Sequence, residues 1–88
     1  MQEKGGPLRD AKILVRFLYE DLGYSKRQIS RITKVSGTVL DSILYGLSIP
    51  KGKTLLSIKK RIVSHLKHIK RSLKELEEKY DIDLGNDR

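Results

Sequence analysis

The chain has 88 residues, no cysteine and a formal net charge of +8. A chain this short bounds the fold to one small domain with a marginal core, and the lack of cysteine excludes a disulfide framework and a cysteine-based zinc site. No apolar run approaches the ~18 residues that a membrane span requires, and Lys12 and Arg16 interrupt the first apolar stretch. We therefore expect no signal peptide and no membrane partner.

The first predicted helix follows residues 1–7, a polar segment with two glycines that we expect to be disordered. From residue 8 to residue 22, apolar side chains recur at spacings of three and four, which is the period of an amphipathic helix. Gly23 suits the left-handed position just past a helix end. The sequence therefore predicts a helix over residues 8–22.

Two short helices are predicted next, and each begins with a serine. Ser25 and Gln28 have the spacing of a capping box, in which each side chain satisfies a free backbone N–H of the first turn. Ser36 caps the following helix in the same way, and Gly46 ends it. The pattern predicts helices over about residues 25–33 and 36–45, with a tight turn between them.

A long helix is predicted after a loop at residues 46–53, because residues 54–80 contain neither glycine nor proline. From residue 62 onward the apolar spacing alternates strictly between four and three, which is typical of a coiled-coil seam. The seam predicts that residues 62–80 form a dimerising helix; the alternative is that this helix folds back on its own domain. We expect residues 81–88 to form a frayed acidic tail. The predicted dimerisation residues are Ile62, Leu66, Ile69, Leu73, Leu76 and Tyr80.

The positive charge is concentrated in the middle of the chain. Residues 22–74 carry thirteen basic side chains and one acidic side chain, a net +12, whereas residues 1–21 are neutral and residues 75–88 carry a net −4. An excess of this size on a small domain is typical of a surface that binds a polyanion. The alternative is a solvated surface whose charge only favours solubility.

An ordered set of motifs runs through the same basic region without a gap. The positions that carry it are Gly23, Tyr24, Ser25, Ile29, Ser30, Val35, Ser36, Leu40, Ile43, Gly46, Pro50, Thr54, Leu55 and Ile58. Residues 24–58 thereby resemble the helix-turn-helix of lambda-repressor-like (Cro-type) regulators, and with the first helix the resemblance extends over about residues 8–66. The chain has Lys26, Thr33 and Lys34 where the family usually has glutamine, a core aliphatic residue and glycine.

The resemblance implies an all-α fold, with a compact helix-turn-helix domain of four helices at residues 8–61 followed by the long C-terminal helix. It implies double-stranded DNA as the partner, with the helix at residues 36–45 in the major groove and Ser36 capping the start of that helix. It also implies a homodimer that reads two half-sites. In the family, the positions of Gly37, Thr38 and Ser42 reach base edges, and Val39 or Thr38 would place a methyl group against thymine. The resemblance puts five cations near phosphates: Lys26, Arg27, Lys34, Lys51 and Lys53.

The residue types in this helix limit how well it can read bases. Arginine, asparagine and glutamine make the paired hydrogen bonds that discriminate bases best, and none lies between residues 36 and 45. We expect Asp41 to pair with a nearby cation such as Lys34. The resemblance implies a cytoplasmic, nucleoid-associated transcriptional repressor, and these residue types predict that its affinity for DNA comes mainly from phosphate contacts.

Two other functions fit the same features. Weak base readout and a helical appendage also suit an architectural or segregation protein that coats DNA with little sequence preference. A protein-interaction module such as an antitoxin would instead use the acidic tail to hold a basic partner.

Catalysis is not expected from this chain. His65 and His68 share a helix face, but no acid or cysteine is placed to complete a metal site with them. The acidic residues cluster in the tail, where they cannot form a buried pair with tuned pKa values. We therefore expect no metal, no cofactor and no small-molecule substrate.

Overall fold

The computed structural model describes residues 6–82 and residue 84, and over these residues the chain is all-helical. Its elements in chain order are α1 (Pro7–Arg16), a π-helical turn (Phe17–Asp21), α2 (Lys26–Thr33), α3 (Gly37–Tyr45), α4 (Gly52–His68) and α5 (Leu73–Tyr80). The all-α prediction is confirmed. One hydrophobic cluster joins residues from all six elements, with both α1 and α2 packed against α3 and α4. None of the helices in this part of the chain has the length and apolar character needed to cross a bilayer.

The first helix begins one residue earlier than predicted and changes its winding before it ends. Pro7 is the first residue of α1, so it does not belong to a disordered segment; residues 1–5 lie outside the described residues. In the π-helical turn, Leu22 N–H donates to the carbonyl of Phe17 at 3.2 Å, and Gly23, at φ 71°, follows. The side chains of Phe17 and Leu18, both in this turn, are buried in the core.

The two short helices form where the sequence predicts them. In the capping box of α2, Gln28 N–H donates to Ser25 Oγ at 3.2 Å and Ser25 N–H donates to Gln28 Oε1 at 2.8 Å. At the start of α3, Val39 N–H donates to Ser36 Oγ at 3.3 Å, and Gly46, at φ 67°, ends this helix. The serine caps and the glycine stop are therefore confirmed.

The turn between α2 and α3 contains no glycine and is held by side-chain hydrogen bonds instead. Lys34 adopts the left-handed conformation at φ 63°, which carries a steric cost for any residue with a Cβ atom. Ser30 Oγ donates to the carbonyl of Val35 across the turn. Thr33 is buried, and its hydroxyl donates to the carbonyl of Ile29 at 2.8 Å, so a polar side chain is satisfied at a core position.

The prediction of one continuous helix over residues 54–80 is wrong, because α4 ends at His68 and a second helix follows. Lys70 adopts φ 59°, and its N–H donates to the carbonyl of Lys67 at 3.0 Å, while Arg71 N–H donates to the carbonyl of Leu66 at 2.8 Å. These two hydrogen bonds form a Schellman motif, a common way to end a helix, here with lysine in the position that glycine usually takes.

The second helix has its own start signal, since Glu75 N–H donates to Ser72 Oγ at 3.2 Å. The predicted seam is therefore divided between α4 and α5 and does not form a continuous coiled-coil stripe. Ile69 is exposed at the junction, and Tyr80 is half-buried against the core. The other four seam residues are buried in the core of their own chain: Ile62, Leu66, Leu73 and Leu76. The structure agrees with the alternative prediction, that this region folds back on its own domain.

The tail is not frayed where the structure describes it. Ile82 and Leu84 are buried in the core. The guanidinium of Arg9, on α1, donates to the carbonyls of Tyr80 and Asp81 at 3.0 and 3.1 Å. The expectation of a frayed tail from residue 81 onward is therefore wrong for residues 81, 82 and 84; residues 83 and 85–88 lie outside the described part of the chain.

Candidate nucleic-acid interface

The starts of α2 and α3 lie against each other, and Lys26 makes the contact. Its aliphatic part covers Gly37, so that a Cβ atom on residue 37 would lie 3.0 Å from Lys26 Cδ. Lys26 Nζ reaches Asp41 on α3, at 2.9 Å from Oδ1 and 3.0 Å from Oδ2. The hydrogen bond to Asp41 and the charge of that carboxylate raise the pKa of Lys26. Glycine at position 37 thus permits this close approach.

The ion pair changes the predicted roles of two residues. Asp41 pairs with Lys26, whereas the sequence suggested Lys34 as its partner. Because Lys26 already faces a carboxylate, it is the least available of the five predicted phosphate-binding cations. Both side chains are partly exposed, so the pair contributes little to the free energy of unfolding. The pair joins the first turn of α2 to α3.

Among the predicted base-reading residues, Thr38 is the most accessible. Gly37 is half-buried beneath Lys26, and Val39 is half-buried and packs against the core. Ser42 is half-buried, and its hydroxyl donates to the carbonyl of Thr38 at 3.0 Å, which leaves the Ser42 oxygen free to accept a hydrogen bond. The accessible first turn of α3 therefore presents one threonine hydroxyl and one methyl group.

Four of the five predicted phosphate-binding cations are exposed and form no ion pair with a described residue: Arg27, Lys34, Lys51 and Lys53. Arg27 lies in the first turn of α2, and Lys34 follows the last residue of that helix. Lys51 precedes α4 and forms no side-chain cap, while Lys53 lies in the first turn of α4. Cations beside free backbone N–H groups at a helix start are well suited to bind anions.

Sequence reasoning missed a buried ion pair between α1 and α4. Lys59 Nζ lies 3.0 Å from Asp10 Oδ2. Asp10 is buried; its other carboxylate oxygen, Oδ1, has no hydrogen-bond partner, and the guanidinium of Arg9 lies 3.8 Å from it. The sequence did indicate a buried acid, because Asp10 lies four residues before Leu14 and therefore on the apolar face of α1. It did not indicate Lys59 as the partner. Lys59 is therefore engaged inside the domain and is not a free cation.

A second unpredicted contact joins α4 to the segment before α2. Tyr24 Oη and His65 Nε2 are 2.8 Å apart, and the two rings meet edge to face with their centroids 5.5 Å apart. Burial lowers the pKa of His65, and nearby His68 lowers it further. His65 in its neutral form therefore holds Tyr24, the residue before the Ser25 cap, against α4.

The exposed groups at the starts of α2, α3 and α4 include cations, backbone amides and hydroxyls, which bind anions by charge and hydrogen bonding. The residues that the structure describes contain no cluster of three or more histidine, cysteine or acidic side chains placed to hold a metal ion. No family model, curated protein or solved structure matches the chain.

Proposed function

We propose that this protein is a transcriptional repressor that binds double-stranded DNA as a homodimer, with α2 and α3 forming a helix-turn-helix and α3 entering the major groove. The start of α3 carries the proposal, because Ser36 caps it and Thr38 is exposed on its first turn. A helix start that enters a groove between two rows of phosphates needs free amides and surrounding positive charge. Binding to chromosomal DNA would place the protein in the cytoplasm with the nucleoid.

Phosphate contacts supply most of the affinity in this proposal. Arg27, Lys34, Lys51 and Lys53 are each free to neutralise one phosphate and release its counterions. Four such contacts give a slope of roughly −4 in log affinity against log salt for one protomer. Lys26 adds less, because the carboxylate of Asp41 compensates its charge.

Base recognition is modest, because α3 offers only small side chains to the groove. Thr38 can donate a hydrogen bond or place its methyl group against a thymine methyl, and Ser42 can accept a hydrogen bond. Neither makes the paired hydrogen bonds that discriminate bases strongly. A homodimer raises the total specificity because two half-sites are read together, and an occupied site near a promoter excludes polymerase by steric overlap.

A salt titration tests the phosphate contacts. Labelled duplex of random sequence is titrated with the full chain at low salt and at several higher salt concentrations. Lys53→Gln is expected to reduce the salt slope by about one, whereas Lys74→Gln, an exposed lysine on α5, is the matched control and leaves it unchanged. An absence of binding to duplex DNA even in dilute buffer would contradict the proposal.

The architectural alternative keeps the same DNA contact, and the small side chains of α3 favour it. Competition between a selected site and random DNA separates the two functions. A repressor retains a specificity ratio of about 10³ or more at physiological salt, whereas a protein that coats DNA gives a ratio near one.

The protein-interaction alternative was suggested by a free acidic tail. Removing residues 75–88 would delete buried Leu76, Ile82 and Leu84 along with the acids, so that truncation does not test it. Glu75→Gln with Glu78→Gln removes two exposed acids and keeps the core. Loss of a basic partner protein with unchanged binding to DNA would support this alternative.

A further inference from the structure

Large apolar side chains are uncovered where α3 meets α4. Tyr45 is 68% exposed, Leu47 73%, Ile49 67% and Leu56 52%, and we call these four residues the 45–56 patch. They lie at the last residue of α3, in the connection and in the second turn of α4. Elsewhere in the described residues, exposed large hydrophobic side chains are limited to Tyr19 and Ile69, and both are less exposed. The 45–56 patch is therefore where this domain leaves most apolar surface in contact with water.

The sequence around Tyr45, Leu47 and Ile49 of the patch lacks charged residues, as the centres of protein–protein interfaces do. Residues 44–50 carry no charge, although charged residues make up 34% of the chain. Depletion of charged residues together with enrichment in aromatic side chains distinguishes the centre of protein interfaces from the rest of a surface. Exposed apolar residues grouped in this way mark an interaction site more often than scattered ones do.

The edge of the patch carries both signs of charge. Tyr45 shares a shallow cleft with Arg16, Tyr19 and Glu20 of the first helical segment. Arg16 and Glu20 lie 3.5 Å apart and are both exposed. In a symmetric pair of identical surfaces, the Arg16 of one copy can meet the Glu20 of the other. The edge beside the first helical segment therefore complements itself, whereas Lys51 and Lys53, between Ile49 and Leu56, add like charge that salt screens.

We propose that the 45–56 patch binds a second copy of this chain. The seam that the sequence offered for dimerisation is not available for this, because Ile62, Leu66, Leu73 and Leu76 are buried in their own core. The four patch residues expose on the order of 400 Å² of apolar surface, about half of the ~800 Å² that each partner buries in a stable dimer. The remainder would come from the surrounding residues of the connection and from the residues that line the Tyr45 cleft.

This pairing leaves the start of α3 free, whereas Lys51 and Lys53 lie between Ile49 and Leu56, beside the paired surface. Tyr45 is the last residue of α3, whereas Ser36 and Thr38 are at its start. Two copies joined near the ends of their α3 helices would keep both helix starts uncovered. This orientation rests on the proposed function, but self-association through the patch does not, and it is measured without DNA.

The test is the mass of the full chain in solution. Sedimentation velocity is run without DNA from micromolar to near-millimolar protein, on the wild type and on Leu47→Ser with Ile49→Ser. Both side chains are in the exposed connection, so the fold is expected to survive, which circular dichroism checks. Because every substitution counts twice in a symmetric dimer, the dissociation constant is expected to rise about 100-fold. Leu56→Lys, on α4, is an independent variant with the same expected direction.

The matched control is Ile69→Ser, which removes an exposed apolar side chain at the α4–α5 junction, 40% exposed in the structure. It is expected to leave the dimer unchanged. A wild-type chain that stays monomeric at every concentration overturns the proposal, and so does a dimer that Ile69→Ser dissociates while the patch variants do not. Sedimentation of a monomeric chain with anionic phospholipid vesicles, lost in Leu47→Ser with Ile49→Ser, would assign the patch to a membrane surface and also overturn it. Titration of each variant with random duplex distinguishes a failed dimer from failed DNA binding.

Discussion

The α2–α3 region and the α4–α5 region are stabilised by different kinds of interaction. The first buries only Ile29, Thr33, Leu40 and Ile43, and its helix ends are fixed by serine caps and left-handed stops. The second buries seven apolar side chains: Leu55, Ile58, Ile62, Val63, Leu66, Leu73 and Leu76. The orientation of the proposed DNA-binding surface therefore depends on local polar contacts, whereas the stability of the domain depends on the core that α4 and α5 complete.

The largest effect is expected from the core of α4. Leu66→Ala removes a fully buried side chain and is expected to lower the free energy of unfolding by about 2–5 kcal/mol, measured by denaturant titration. Lys60→Ala, at an exposed position of the same helix, is the control and is expected to change it by less than about 0.5 kcal/mol.

The concentration dependence of this loss separates two roles for Leu66. If Leu66 supports its own chain, the loss is the same at every protein concentration. A loss that disappears in dilute solution, where a dimer would dissociate in both proteins, would instead place Leu66 in an interface.

Removing a helix cap is expected to have a smaller effect that depends on the region. Ser36→Ala and Ser72→Ala each delete a side-chain acceptor at a helix start and are each expected to cost about 1 kcal/mol. Hydrogen exchange should show faster exchange in the first turn of α3 for the first variant and of α5 for the second. Only Ser36→Ala is expected to weaken binding to duplex DNA, so equal weakening by both variants would contradict the proposed interface.

Two lysines with left-handed backbones offer a matched pair. Lys34 and Lys70 have φ 63° and 59°, so Lys34→Gly and Lys70→Gly are each expected to stabilise the fold by about 0.5–1 kcal/mol. Both substitutions remove one positive charge. Lys34→Gly should also reduce the salt slope of DNA binding by about one, while Lys70→Gly should leave it unchanged. An equal reduction in both would show that overall charge, not position, controls binding.

The smallest effect is expected from His65, and it depends on pH. Because burial, and then His68, lower the pKa of His65, the unfolded chain binds a proton at this residue more readily than the folded chain does. Stability should be highest above the unfolded pKa of about 6.5 and should fall as the pH drops through that value, before it levels off below the folded pKa. Thermal unfolding between pH 8 and pH 5 measures this change.

Substitution of each histidine controls the pH experiment. His65→Gln is expected to flatten the decline, and His68→Gln is expected to retain most of it, because burial is the larger cause of the lowered pKa. An unchanged decline in His65→Gln would show that another group is responsible.

Much of the α2–α3 region could be predicted from the sequence because its signals are local. Ser25 with Gln28, Ser36, and Gly46 lie at the helix ends that they were expected to form. Lys34 stands where glycine is usual in the family that the chain resembles, and it adopts the left-handed conformation that glycine favours. Such signals involve residues within one turn of each other, so they need no knowledge of the rest of the fold.

The α4–α5 region was predicted less well, because its apolar spacing suits either a seam or a core. Four apolar positions of the stripe are buried in the core of their own chain, and no local pattern distinguishes that core from a partner helix. The helix break was hidden because Lys70 stands where a glycine would have marked it. The spacing of Ser72 and Glu75 was a capping signal that the long apolar repeat outweighed.

In the candidate site, too, local features were predicted and contacts between distant residues were not. Exposure of Thr38 and of the four free cations agrees with their positions in the sequence, because polar residues at helix starts are usually exposed. The Lys26–Asp41 pair was missed because it joins residues 15 positions apart on two helices. Asp10 and Lys59 are 49 positions apart, and their contact depends on how α1 packs against α4. Pairings of this kind follow from tertiary structure alone.

Arg9 has a consequence for how this chain could be rearranged. Its guanidinium holds the carbonyls of residues 80 and 81, so the beginning and the end of the described chain are neighbours. A short glycine tether between them, with the backbone opened between Tyr45 and Gly52, would make a circular permutant in which α3 becomes the final element. The permutant would retain the core while freeing α3 from its covalent connection to α4. The order of the helices along the polypeptide is therefore separable from their arrangement in space.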